Sequence, residues 1–144
     1  MVSRKGKNPS GQAQIVSAVL VFSLGLVMLM GFTYAFSSLK AKIVADFQSK
    51  TAGEILEYVA IKAIMLDELN ATYASATFTI PAKIGEVDYT ISTGDDGSTL
   101  MLLMPGFSTS IPTPVRFSGR LDSNNGKAML TYKDNEITMR GVFN

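Results

Sequence analysis

Twenty-two consecutive residues, Ile15 to Phe36, carry no charge and almost no polar side chain: IVSAVLVFSLGLVMLMGFTYAF. A helix needs about 20 apolar residues to cross the hydrocarbon layer of a bilayer. This run meets that length, and the uncharged stretch extends from Gln12 to Leu39. A secretory signal has an apolar stretch of about 7–15 residues with a small-residue cleavage site behind it. Here the stretch is longer, and Ser37-Ser38-Leu39-Lys40-Ala41 makes a poor site. The run is therefore expected to be a retained membrane helix. Arg4, Lys5 and Lys7 favour a cytoplasmic N-terminus by the positive-inside rule, weakly opposed by Lys40, Lys42 and Lys50. This charge bias is weak, and the expectation that the C-terminal part lies outside the cell rests on the leader junction described below.

Behind the run, the chain changes character twice. No proline occurs from Gln12 to Leu69, and Gly25, Gly31 and Gly53 are the only glycines there. That predicts one long helix, bent if anywhere at a glycine. In its second half Leu39, Ile43, Phe47, Ile55, Val59, Ala63 and Leu66 recur near one face, with Lys42, Asp46, Lys50, Glu54, Glu57 and Asp67 mostly elsewhere. After Asn70 the period shortens. Segments 76–80, 87–91, 127–132 and 136–142 alternate or are rich in β-formers, 100–104 is a short apolar run, and 115–118 is a further candidate strand. Gly94-Asp95-Asp96-Gly97, Asp122 to Gly126 and Lys133-Asp134-Asn135 supply turn residues between them. The expected fold is α+β: a long N-terminal helix, then a small antiparallel β-sandwich-like domain, a meander of five to seven strands. Its longest loop is expected at the proline-marked stretch Pro105 to Pro114. The domain boundaries are 1–11 for a basic leader, 12–70 for the helix and 71–144 for the β domain.

Composition narrows the function. The 144 residues carry a formal net charge of +1, and residues 72–144 hold six Lys/Arg against seven Asp/Glu. No basic block collects phosphates, so no nucleic-acid partner is expected. With no Cys and no His, disulfides, thiolate chemistry, and the commonest general base and zinc ligand are excluded. Counting from Asp122, positions six and twelve of an EF-hand loop would be Lys127 and Lys133 instead of Gly and Glu, so Asp95-Asp96-Gly97 and Asp122 to Gly126 are read as hairpin turns. No nucleophile–base pair, paired carboxylates or phosphate loop stands out. No catalytic residue, metal or cofactor is expected.

The leader junction points elsewhere. Lys5-Gly6-Lys7 and Ser10-Gly11-Gln12, followed by the long apolar run, resemble the class III signal peptides of archaeal type IV pilins and archaellins. In that family a membrane peptidase cuts on the cytoplasmic side, before the helix, which is kept. The resemblance implies cleavage at Gly11–Gln12, with Gly6–Lys7 a poorer choice. Ser10 departs from the basic residue usual before the cut, and Val16 occupies the place of the acidic residue of bacterial pilins, which restricts the resemblance to the archaeal branch. Phe78-Thr79-Ile80-Pro81, Ile84-Gly85 and Tyr89-Thr90-Ile91 also look like the strand, turn and strand behind the helix of archaeal pilin-like surface proteins. The same residues read physically as a strand ended by Pro81 and a turn at Gly85.

Two smaller motifs complete the reading. Gly31 and Ala35 form a small-xxx-small pair in the apolar helix, a candidate helix-packing contact, with Gly25 as a further soft point. Asn70-Ala71-Thr72 is an N-glycosylation sequon, and Asn70 serves equally as a helix terminator. The resemblance implies a surface filament subunit whose partners are further copies of itself, a prepilin peptidase-like enzyme, a membrane assembly platform and, before assembly, the membrane. The alternative is a non-polymerising anchored protein, such as an archaellum stator-like or minor-pilin component, whose β domain binds a surface partner.

Overall fold

The computed structural model describes residues 9–69 and 71–142. They fall into two units, one up to Val44 and the other from Ala45. One helix, α1 (Pro9–Glu68), runs from the first into the second, uninterrupted by Gly25, Gly31 or Gly53. It starts earlier than expected. Pro9, Ser10 and Gly11, read from sequence as the end of the leader, are already helical. Proline is pre-organised for the first helical turn, where its missing N–H has no intrahelical partner to lose. The basic residues Arg4, Lys5 and Lys7 and the alternative junction Gly6–Lys7 lie outside the described residues, as does Asn70.

The first unit, as far as it is described, is helix alone. Every residue from Gly11 to Val44 is exposed on its own chain. Thr33 sits inside the apolar run, and its hydroxyl donates to the Leu29 carbonyl at 2.8 Å. That back-bond to the preceding turn satisfies the hydroxyl without a partner from outside the helix.

The second unit joins the end of α1 to seven strands: β1 (Tyr73–Thr79), β2 (Thr90–Thr93), β3 (Thr99–Met104), β4 (Phe107–Pro112), β5 (Phe117–Asp122), β6 (Lys127–Lys133) and β7 (Glu136–Gly141). They lie in one hydrogen-bonded series, β1-β6-β7-β5-β2-β3-β4. The α+β expectation holds; the simple meander does not. β5 returns to lie beside β2, giving the Greek-key order β5-β2-β3-β4. The next connection carries the chain past the place of β7, which then inserts parallel to β5. The Asp122 to Gly126 segment is accordingly no hairpin. It is a short 3-10 turn, Ser123–Asn125, closed by Gly126 at φ 63. The Lys133-Asp134-Asn135 turn is one: Asp134 (φ 54) and Asn135 (φ 67) occupy its two central positions. Positive φ at both is the turn whose twist matches paired strands.

The stretch expected as the longest loop is mostly strand. Phe107, Thr109 and Ile111 of β4 are half-buried and alternate with exposed Ser108, Ser110 and Pro112. Pro105-Gly106 makes a two-residue turn from β3, with Gly106 at φ 76 and Met104 paired to Phe107. Pro112 is tolerated because β4 is an edge strand and the proline is its last residue.

β5 is the joint of the sheet. Phe117, Ser118 and Gly119 pair with β7, whereas Arg120, Leu121 and Asp122 pair with β2. Gly119 stands where pairing changes, at φ 95, and a Cβ there would come within 2.5 Å of the Met139 carbonyl oxygen. Alternation then sorts the side chains. Phe78, Ala128, Leu130, Met139, Ile137, Phe117, Leu121, Ile91, Leu100 and Leu102 are buried in one cluster with Ala52, Ile55, Leu56, Val59, Ala60, Ala63 and Leu66 of α1. Burying a Leu, Ile or Met fully contributes about 1.5–3 kcal/mol, so this contact between helix and sheet is the main stabilising feature of the unit.

Candidate functional site

Polar clusters of the β domain are structural in geometry. Tyr89 is buried, its hydroxyl donates to the Pro81 carbonyl at 2.5 Å, and burial pushes its pKa far above the usual tyrosine value. Its N–H donates to the buried Ser123 hydroxyl at 3.0 Å, while the Ser123 N–H returns to the Tyr89 carbonyl at 2.9 Å. This clasp ties the start of β2 to the turn after β5. Asp122 accepts from the Thr90 hydroxyl at 2.9 Å and from Arg120 Nε at 3.1 Å, and these bonds hold its carboxyl below the usual range. Asp96 accepts from the Ser98 hydroxyl and backbone N–H, with the same effect, and Gly97 follows at φ 68. That is turn chemistry, as the sequence suggested for Gly94 to Gly97. Among the described residues, no group of three or more His, Cys, Asp or Glu is placed to hold a metal.

A cavity of about 530 Å³ lies beside the Asp122 cluster, lined by Asp88, Thr90, Arg120, Asp122 and Asn124 among others, and α1 carries exposed apolar surface. An 18-residue window of it reaches a mean hydropathy of 2.5 and is entirely exposed on its own chain, so the helix is long and apolar enough to cross a membrane. Gly25 and Gly31 face open space, with nothing within 4 Å of where a Cβ would stand. Val21, Phe22, Leu26 and Leu29 rim a shallow apolar notch at Gly25. Gly31 and Ala35, four residues apart, share one face, and Gly25 lies about 120° round from it at 100° per residue. The small residues singled out in the sequence thus fall on two faces. Gly11 and Gln12 are exposed in the first turns of α1. The first four N–H groups of a helix lack intrahelical partners.

A second set of exposed apolar residues lies further along α1, of which the helical sequence pattern points only to Phe47. Phe47, Tyr58, Ile61 and Met65 are 42–56% exposed. At 100° per residue they lie about 120° round the helix from the centre of the Ile55, Val59, Ala63 and Leu66 series, with Tyr58 nearest to it. Tyr58 packs edge-on against Phe78, ring centroids 5.4 Å apart, and Lys62 Nζ stands 5.5 Å from the Tyr58 ring centroid. Leu39, Ile43 and Phe47, expected on the same face as the buried series, are exposed. The signal was present: from Ile55 to Leu66 only Glu57 and Lys62 are charged. A helix segment apolar all round is normally buried all round.

Compared with known proteins, the chain matches no family, no curated protein and no solved structure.

Proposed function

We propose that this chain is a structural subunit of an archaeal type IV pilus-like surface filament, its role assembly and not catalysis. The precursor is held in the membrane by Ile15 to Phe36, the leader is cut at Gly11–Gln12 on the cytoplasmic side, and the retained helix passes into a polymer. There copies of α1 cover one another's apolar faces and the β domains form the outer surface, where adhesive contacts arise. A peptidase and a membrane assembly platform are the partners this route needs.

One observation carries the reading beyond a simple anchor. A bilayer covers about 20 helical residues, and Ile15 to Phe36 uses that span. Ile43, Phe47, Tyr58, Ile61 and Met65 lie further along the same helix and are exposed on their own chain. Lipid does not reach them, whereas the corresponding helices of neighbouring copies do. These residues are interspersed with exposed Lys50, Glu54 and Glu57, and we read them as separate apolar contacts for neighbouring helices.

Two variants test it. Gly11→Asp blocks the cut. Ile61→Glu with Met65→Glu charges the exposed stripe without touching the buried one. Both are expected to abolish surface filaments in electron micrographs of the source cells. Filaments that persist unchanged with either variant would leave the anchored, non-polymerising reading in place.

A further inference from the structure

The two ends of the sheet break a rule that most sheets obey. An edge strand exposes a row of unpaired backbone groups, and proteins usually blunt it with charge, proline, bulges or a cover. Here β1, YASATFT, and β4, FSTSIP, are the edges, and neither carries a charge. The charged strands are the interior ones, β5 with Arg120 and Asp122, β6 with Lys127 and Lys133, and β7 with Glu136 and Arg140. β1 pairs with β6 through seven consecutive residues without a bulge, and β4 with β3 through six. Among the described residues, no backbone hydrogen bond reaches the outer side of either strand. Pro112 blunts β4 at its last residue only, leaving Phe107 to Ile111.

We infer that β1 of one copy pairs with β4 of the next, so that the sheet continues from subunit to subunit. The occupant is a second copy because the same chain carries a matching edge. Size is complementary: β1 presents half-buried Ala74 and Ala76 on the core side, where β4 presents half-buried Phe107 and Ile111. On the outer side, Ser75 and Thr77 meet Ser108 and Ser110. Direction matches as well. Of the six pairings between β1 and β4, five are antiparallel and one, β5 with β7, is parallel. Five reversals leave β4 antiparallel to β1, so a copy in the same orientation offers its β4 to β1 in the more stable antiparallel sense. A contact between two different edges is head-to-tail, and it propagates when its rotation does not close. This contact is independent of the helix and does not require the filament reading to hold.

The chain has no cysteine, which makes cross-linking clean. Full-length chains with Ser75→Cys or Thr77→Cys are co-expressed with differently tagged chains carrying Ser108→Cys or Ser110→Cys, and membranes and surface material are oxidised. All four positions are exposed, so the fold is retained. The expected result is a disulfide dimer bearing both tags, absent when either variant is expressed alone, and a ladder of multimers when one chain carries Ser75→Cys and Ser110→Cys. Adding Thr77→Lys to the Ser75→Cys chain is expected to remove the mixed dimer. No mixed dimer at any of the four combinations, dimers of like chains only, or a mixed dimer undiminished by Thr77→Lys would each overturn the pairing.

Discussion

Leu24 and Leu56 are the same side chain in the same helix, yet Leu24 is 61% exposed and Leu56 is completely buried. The difference lies in what the chain itself provides. Leu56 has a sheet whose every strand offers an apolar side chain at period two, so the cluster around it closes within one copy. Leu24 has no counterpart in its own unit, and its neighbours Val21, Leu26 and Leu29 are equally uncovered. Leu24 lies on the helix that is long and apolar enough to cross a membrane, and in the proposed function lipid and then other helices cover it. Ile61 and Met65 sharpen the lesson, because they belong to the folded unit and are still about half exposed.

The comparison breaks most visibly at the two leucines. Leu56→Ala should destabilise the β-domain unit by about 2–5 kcal/mol, the range for deleting a fully buried leucine side chain. Leu24→Ala should leave its unfolding midpoint unchanged in the same experiment, thermal unfolding of the full chain in detergent followed by tyrosine near-ultraviolet circular dichroism. Equal shifts would mean the two halves of α1 do not differ as described. Gly119→Ala comes next. The new Cβ would meet the Met139 carbonyl at a φ of 95, and a residue held in such a region costs about 1–3 kcal/mol. The control Gly85→Ala also has positive φ but meets no atom within 4 Å, so it should cost less.

A smaller effect follows pH. The Tyr89 pKa is raised by burial above the ordinary value of 10.0. Its contribution to stability is therefore fully present below pH 10 and is lost as pH rises toward the folded-state value. Tyr89→Phe should flatten the alkaline loss while lowering neutral-pH stability by about 1 kcal/mol for the missing hydrogen bond to Pro81. An alkaline profile identical to the parent's would contradict the assignment. Smallest of all, Ile61→Ser should change the unit's stability by no more than about 0.5 kcal/mol, as surface substitutions do, while impairing assembly.

Much of this fold was legible because periodicity reports burial. Ile55, Val59, Ala63 and Leu66 repeat at helical spacing, and β3, β6 and β7 fall within a residue or two of their expected bounds. β4 was hidden because Pro105, Pro112 and Pro114 look like loop punctuation, although one proline is in a turn and another ends an edge strand. The crossing from β5 to β6 was hidden too, since Asp, Ser, Asn and Gly serve a 3-10 turn as well as a hairpin. The apolar span of the candidate site was plain from Ile15 to Phe36. Its extension over Tyr58, Ile61 and Met65 is masked because exposed Glu54 and Glu57 interrupt it, while Ile55, Val59, Ala63 and Leu66 dominate the helical period.

The most direct test of the central claim is the mature N-terminus of the chain in sheared surface material, read by intact-mass and terminal-peptide mass spectrometry. The account predicts that this fraction contains the chain beginning at Gln12, with the apolar helix retained. A chain confined to the membrane fraction and still beginning at Met1 would contradict it.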